Sequence, residues 1–233
     1  MARKKLTYAL IVAGGKGKRM GKKTPKQFLK ISGVPILIKT LLPFERSSRI
    51  QEIFVVLPPK FHTTGRNLFN KYSIKKVHRI VRSGRSRQAS VYNGLTAMES
   101  HAPDIVIIHD AARPLISTQL IDRICKSAKR FGASTAAISI PDTVYDRRKK
   151  VFLGKKKLIK IQTPQAFKYR VILDAHTRAR KRKKWDFPDD TSLLSFYKKK
   201  FALEQGERRN IKITDREDLE IARLLAKESP SLV

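Results

Sequence analysis

Short β-branched runs alternate with longer amphipathic stretches through the first three-fifths of the chain. The segments Tyr8–Val12, Ile53–Leu57, Val77–Val81, Ile105–Ile108 and Ser134–Ile140 read as strands, and the first, second and fourth of them are continuously apolar rather than apolar at every second position. Such runs predict strands covered on both faces, as in a parallel sheet. Between them, apolar residues recur at helical spacing over Ile36–Glu45, Thr63–Tyr72, Arg87–Glu99 and Thr118–Phe131. Ser117 stands where an N-cap hydroxyl belongs, and Gly132 where a helix-ending glycine belongs. This β-α-β rhythm predicts an α/β fold with a single doubly wound, mostly parallel sheet. Ligands then gather at the carboxyl ends of the strands.

After Pro141 the rhythm breaks. Residues 142–162 are strongly basic, weakly apolar and without helical period, which predicts an extended β-arm returning at Gln162-Thr163-Pro164-Gln165. Helices follow at about 168–183 and 189–197, then strands around 200–205 and 210–213. A last helix is announced by Thr214-Asp215-Arg216-Glu217, a capping box ahead of Leu219, Ile221, Ala222, Leu224 and Leu225. With no internal repeat and no linker, residues 1–233 read as one elaborated domain.

Composition narrows the setting. An apolar fraction of 41% in 233 residues supplies a real core. No run approaches the roughly 20 apolar residues of a membrane helix. The apolar run Leu6–Ala13 ends directly in glycines, without the longer segment and cleavage site of a secretory signal. The one cysteine, Cys125, excludes an internal disulfide framework and reads as a small apolar helix residue. A cytoplasmic protein with no membrane partner is expected. The net charge of +33 implies affinity for polyanions and raises a nucleic-acid-binding alternative. The basic runs Arg147–Lys150, Lys155–Lys157, Arg178–Lys184 and Lys198–Lys200 are dispersed, however. Neither zinc-finger spacing nor an RNA-recognition aromatic signature accompanies them.

The first strand runs into Ala13-Gly14-Gly15-Lys16-Gly17-Lys18-Arg19-Met20-Gly21. Glycines there let backbone N–H groups approach phosphate oxygens. The loop is neither a Walker A sequence nor a dinucleotide fingerprint. Its continuation, Pro25-Lys26-Gln27-Phe28-Leu29, makes the pattern specific. Further pieces follow in order: Ser83-Gly84-Arg85-Ser86-Arg87-Gln88-Ala89-Ser90-Val91 with Asn93-Gly94-Leu95, and His109-Asp110-Ala111-Ala112-Arg113-Pro114. Then come Asp142-Thr143, Gln162 to Phe167, Asp189-Asp190 and Asn210-Ile211-Lys212-Ile213-Thr214. Together these resemble the cytidylyltransferases that act on 2-C-methyl-D-erythritol 4-phosphate, and their close relatives acting on ribitol 5-phosphate. The resemblance spans about residues 7 to 226.

It implies CTP and a polyol phosphate as partners, and a role for each matching residue. Ala13, Gly14, Gly15 and Gly17 would surround the CTP phosphates. Arg19, Lys26 and Lys212 resemble the catalytic cations, needed because attack on the α-phosphorus builds charge on its oxygens and on departing pyrophosphate. Gly84, Arg85 and Ser90 match positions that read the cytosine edge. Asp110 resembles the residue beside the metal and the polyol, where a hard divalent cation such as Mg²⁺ suits carboxylate and phosphate oxygens. A purely structural Asp110, capping its turn and pairing with Arg113, is the alternative. Arg113, Thr143 and Thr163 match the polyol-phosphate site, and Lys155 the place from which a neighbouring subunit's arm completes it. A homodimer follows. His109 is given no catalytic role, because an already ionised phosphate needs no general base.

Four departures stand against the pattern. Arg85 replaces a frequent acid, Lys155 an arginine, Val144-Tyr145 a stretch that tends to carry lysine, and Pro188 a frequent threonine. Lysine neutralises a phosphate but lacks the bidentate fork of arginine. The nucleotide half thus matches better than the polyol half. Methylerythritol phosphate is the favoured acceptor, with ribitol phosphate the runner-up.

Overall fold

The computed structural model of the protein describes residues 6–15, 24–154, 157–184 and 186–228. In chain order, β1 (Thr7–Val12) leads to a small ladder of β2 (Lys30–Ile31) and β3 (Val34–Pro35), then α1 (Ile36–Arg46), β4 (Glu52–Leu57) and α2 (His62–Lys71). Next come β5 (Val77–Arg82), α3 (Arg87–Thr96), β6 (Ile105–Asp110), α4 (Thr118–Phe131) and β7 (Ala133–Ser139). The chain continues through β8 (Val144–Asp146), β9 (Val151–Leu153), β10 (Ile159–Lys168), α5 (Tyr169–Lys181), α6 (Asp190–Phe196), β11 (Ala202–Gln205) and α7 (Arg216–Lys227).

Among the described residues, seven strands form one sheet in the order β11-β7-β10-β6-β1-β4-β5. All neighbours are parallel except those of β10, which runs antiparallel to both β6 and β7. The fold is therefore α/β with a mostly parallel sheet. Its central strands β1, β4 and β6 carry unbroken apolar runs because two layers cover them. In β1, Ala9 and Ile11 enter a core with α1 and α4, while Tyr8 and Leu10 enter one with α3, α5 and α6. In β6, Ile105 and Ile107 take the first side, Val106 and Ile108 the second. Period-two alternation then sends His109 towards α1 and Asp110 towards α3, α5 and α6. His109 accordingly packs against Phe44 of α1, its ring tilted and the centroids 5.3 Å apart.

A third, smaller cluster joins Ile31 and Ile36 to Leu115, Ile213, Leu219, Ala222 and Ala226. It docks α7 beside the β2–β3 ladder and carries the segment around Lys212 to the sheet's carboxyl edge. Close backbone approach fixes the central layer. A Cβ on Gly94 in α3 would lie 2.3 Å from Leu10 Cδ1, so that position has room for hydrogen only.

Ser117 caps α4 by accepting from Leu120 N–H, and Gly132 closes it at φ +89. Several boundaries differ from the sequence expectation. Helix α3 stops at Thr96, and a 3-10 turn at Glu99–His101 follows while Met98 stays buried. The arm expected over 142–162 is shorter. Among the described residues of that stretch, only the β8–β9 hairpin forms strands apart from the sheet, and Ile159 already pairs with Ser139 of β7. Pro164 argues in sequence against a central strand. It is tolerated because pairing is interrupted between Ile161 and Gln165, where its missing N–H costs no ladder bond. No strand forms at 210–213. That segment is tied singly instead, Ile213 N–H donating to Ala112 C=O at 2.8 Å. The last capping box falls one residue later than expected, between Asp215 and Asp218, and Thr214 hydrogen-bonds to Asp218.

Candidate active site

At the carboxyl end of β1, Ala13 is held from both sides. Its N–H donates to Val56 C=O, and its own carbonyl accepts from Gln27 Nε2 at 3.2 Å. Gln27 belongs to the Pro-Lys-Gln-Phe-Leu segment, so one buried amide ties the glycine loop to the return segment. Gly14 packs on the loop after β5, where a Cβ would meet Ser83 Cβ at 2.7 Å, whereas a Cβ on Gly15 would meet nothing. Among the described residues, nothing therefore crowds the Gly15 backbone. Gly17 and Arg19 lie outside the described residues.

The loop after β5 carries a compact turn. Ser86 caps α3 by accepting from Ala89 N–H, and Ser90 accepts from Gly84 N–H at 3.0 Å while donating to Ser86 C=O at 2.8 Å. Gly84 has no room for a side chain, since a Cβ would lie 2.6 Å from Ala89 Cβ. Arg85 is exposed.

Asp110, the last residue of β6, is buried with both oxygens engaged. Arg87 Nε donates to Oδ1 at 2.9 Å, and Lys212 Nζ lies 2.6 Å from Oδ2. Burial pushes this carboxyl up, but the Arg87 and Lys212 cations outweigh it and hold it well below the usual carboxylate range. The side chain pairs with these two cations rather than with Arg113. Arg87 also donates through Nη2 to Asp190 Oδ2 at 2.9 Å, so one guanidinium bridges two buried carboxylates. Asp190 opens α6, where Gln165 Oε1 accepts the N–H groups of Asp190 and Thr191 at 3.1 and 3.2 Å.

Thr163 of β10 is a second junction. Its hydroxyl accepts from Asp110 N–H and contacts His109 Nδ1, each at 3.1 Å. The other ring nitrogen, Nε2, is 3.0 Å from Arg113 C=O, an acceptor only. The proton therefore sits on Nε2, and Thr163 donates to Nδ1. Burial holds His109 down at about 4, with the Arg113 and Arg87 cations adding to the effect. The ring thus links Thr163 to the Arg113 carbonyl in its neutral form. Arg113 donates to Asn210 C=O at 2.8 Å, and Asn210 Nδ2 to Thr163 C=O at 2.8 Å, locking the segment before Lys212. Lys26 Nζ donates to Ile213 C=O at 3.0 Å.

Arg87, Asp110, Arg113, Gln162, Thr163, Gln165, Pro188, Asp189 and Lys212 thus line one polar cleft. Thr143, by contrast, is exposed at the entrance to the β8–β9 hairpin. Lys155 lies outside the described residues. Arg87, Gln165 and Asp190 join the site without having been expected there, although each stands inside one of the motifs. An arginine at the first position of a helix whose N-cap is Ser86 was the signal for the first, because a cation there opposes the helix dipole.

A glycine turn after the first strand, with a carboxylate ending the paired strand and a lysine held on it, is the arrangement of a nucleotidyltransferase. Comparison with known families is more specific. Residues 7–228 match the family described as IspD: 2-C-methyl-D-erythritol 4-phosphate cytidylyltransferase, and the chain belongs to it. A 2-C-methyl-D-erythritol 4-phosphate cytidylyltransferase of Clostridium botulinum (strain Langeland) is 41% identical over 215 residues, covering 90% of this chain and 93% of that protein. One from Pelotomaculum thermopropionicum is 38% identical over 226 residues, or 94% and 93% of the two chains. Among solved structures, the enzyme of the same name from Thermus thermophilus is 31% identical, with a TM-score of 0.77 over 95% of this chain and 99% of that one. The 4-diphosphocytidyl-2C-methyl-D-erythritol synthase of Anaerococcus prevotii superposes with a TM-score of 0.83 at 26% identity, covering 96% of each chain. Neither the ribitol nor the nucleic-acid alternative is favoured by these matches. Among the described residues, no helix is long and apolar enough to cross a membrane.

Proposed function

We propose that this chain transfers the cytidylyl group of CTP to 2-C-methyl-D-erythritol 4-phosphate, a step of isoprenoid precursor synthesis. The observation that carries the reading is Asp110, held ionised between Arg87 and Lys212 at the sheet edge that also bears the glycine loop. A phosphate oxygen of the alcohol attacks the α-phosphorus of CTP. The bond from that phosphorus to the bridging oxygen breaks, and pyrophosphate leaves with the electron pair. The alcohol's phosphate oxygen becomes the new bridge, giving CDP-methylerythritol. No proton need be removed from the attacking group.

The protein's part is position and charge. Ala13, Gly14 and Gly15, with Gly17, offer backbone to the triphosphate. Lys26, Lys212 and Arg19 offset the charge that develops on the phosphorus oxygens and on pyrophosphate. Gly84 and Ser90 present the turn that reads the cytosine edge, with Arg85 beside it. Thr163 and Arg113 shape the alcohol side of the cleft, joined in the family's pattern by Thr143 and Lys155.

A divalent cation such as Mg²⁺ fits the donor set in one way. Among the described residues no group of three or more His, Cys, Asp or Glu side chains gathers to hold a metal. Mg²⁺ is commonly held by one or two carboxylates plus substrate phosphates, and Asp110 supplies the one carboxylate. Each of its oxygens has accepted one hydrogen bond and retains a lone pair. When bound, the cation would neutralise triphosphate charge.

A homodimer through the β8–β9 hairpin belongs to the same reading. A two-stranded ribbon is marginal alone. Phe152 is 75% exposed and packs at a tilt against Tyr145, ring centroids 5.0 Å apart, an apolar pair without a core of its own.

The deciding experiment is pyrophosphate release from CTP with Mg²⁺, comparing methylerythritol 4-phosphate with ribitol 5-phosphate. Turnover with the first is expected. Turnover with ribitol phosphate alone would keep the mechanism and change the acceptor, and silence with both would overturn the reading.

A further inference from the structure

Among the buried polar side chains that the mechanism leaves unused, one is joined to the site by a chain of ion pairs. His176 lies on α5 at 1% exposure, on the helix face that also buries Ile172, Leu173, Ala175 and Ala179. Its Nε2 lies 3.0 Å from Asp190 Oδ1. Because an ionised carboxylate only accepts, Nε2 carries the proton. Its Nδ1 has no hydrogen-bond partner among the described residues. The ring therefore has one polar contact, and that contact leads towards the reaction.

From His176 the links run without a gap. Asp190 Oδ1 takes His176, and Oδ2 takes Arg87 Nη2 at 2.9 Å. Arg87 Nε reaches Asp110 Oδ1 at 2.9 Å, and Asp110 Oδ2 meets Lys212 at 2.6 Å. A guanidinium facing a free carboxylate prefers the bidentate fork, two parallel bonds to one acid. Here it is divided between two acids instead. His176 occupies the Asp190 oxygen that a fork would need, and the remainder of Arg87 is left to Asp110.

We infer that His176 is a positioning residue, which by occupying Asp190 Oδ1 keeps Arg87 directed at Asp110. Without it, Asp190 turns both oxygens to Arg87. Asp110 is then held by Lys212 alone and draws that lysine away from the charge that builds only in the transition state. The inference rests on the proposed cytidylyl transfer for its kinetic consequence but not for its geometry.

The test compares His176→Phe, which keeps a ring and removes the donor, with His176→Gln, whose amide can still donate to Asp190. Steady-state kinetics are followed with CTP and methylerythritol 4-phosphate varied separately. The Arg87 Nε–H resonance is followed in arginine-labelled protein and assigned by its loss in Arg87→Lys. The Phe variant is expected to lose about tenfold in kcat, the scale of lost supporting bonds behind a reactive group. Its KM for the alcohol phosphate should rise several-fold and its KM for CTP stay within about twofold, because Asp110 stands on the alcohol side. The Gln variant should recover most of this, and the Arg87 resonance should shift in Phe and not in Gln. Wild-type kinetics with an unmoved resonance in the Phe variant would overturn the inference. So would a fall in kcat that Gln fails to rescue. If the Phe variant does not fold, His176→Asn, too short to reach Asp190, takes its place. If wild-type protein turns over no methylerythritol phosphate, the proposed function falls and the resonance alone decides the positioning claim.

Discussion

Lys212 Nζ lies 2.6 Å from Asp110 Oδ2, although the two come from distant parts of the chain and from different clusters of the core. Asp110 is set by β6, whereas Lys212 precedes Ile213, which the α7 cluster buries completely. The lysine side chain remains 40% exposed, so it is held and accessible at once. Lys212→Met keeps the stem and removes the charge. It is expected to lower kcat by roughly 10²–10³-fold, the cost of one fixed electrostatic stabiliser. Far-UV dichroism should be unchanged. Wild-type kcat in Lys212→Met would remove the residue from the reaction.

Ser90 gives a sharper test of nucleotide choice. Its hydroxyl accepts from Gly84 N–H and donates to Ser86 C=O. Ser90→Ala leaves that N–H without its partner, and a lost bond of about 1.4 kcal/mol corresponds to about tenfold in affinity. KM for CTP should rise by that factor, and the preference for CTP over UTP should narrow. Equal losses for both nucleotides would assign Ser90 to turn stability alone.

Gly94 tests the packing that supports both. In an exposed helix Gly→Ala gains about 1 kcal/mol. Here the added methyl meets Leu10 Cδ1 at 2.3 Å and Cδ2 at 2.8 Å, inside a fully buried layer. Overpacking of this kind costs about 1–3 kcal/mol and outweighs the propensity gain. Gly94→Ala is expected to lower the urea midpoint, and Leu10→Val in the same chain to restore part of it.

His109 makes stability depend on pH. Its folded value of about 4 lies below the ordinary 6.5, so the unfolded chain binds the proton more readily. Its contribution is complete above about pH 6.5 and is lost as pH falls towards 4. The difference corresponds to about 3 kcal/mol. Denaturant midpoints at pH 7 and pH 5 should therefore diverge more in wild type than in His109→Gln. Equal slopes would show that other groups govern acid sensitivity.

The hairpin pair Tyr145 and Phe152 is expected to be covered by a second copy of the chain. Light scattering should give twice the chain mass, and Phe152→Asp should shift it towards the monomer. A monomeric wild type would remove the dimer from the proposed function.

Most of the fold could be read from residues because covered strands have an unmistakable pattern. The strands β1, β4, β5, β6 and β7 and the helices α1, α2 and α4 follow from apolar runs and periods, with Ser117 and Gly132 marking the ends of α4. What escaped depended on tertiary context. β10 was hidden by Pro164, acceptable only where ladder pairing is interrupted. The apolar residues of 210–213 resembled a strand, but no neighbouring strand was there to pair with. Asp110, Lys212, Thr163 and Arg113 were legible through motif order, and all line the cleft. His176 sits in an apolar helical face where nothing local separates a packed histidine from one that holds Asp190. Its significance emerges only when α5 and α6 are brought together.

The alternation along β6 has a bearing on how such a protein can change over generations. His109 and Asp110 are adjacent in the chain but face opposite layers, one tied to endurance and the other to chemistry. Substitutions among α3, α5 and α6 can retune the acid's surroundings while the layer of α1 and α4 keeps its packing. A lineage can thus explore new acceptors on one side of the sheet without reopening the question of whether the chain stays folded.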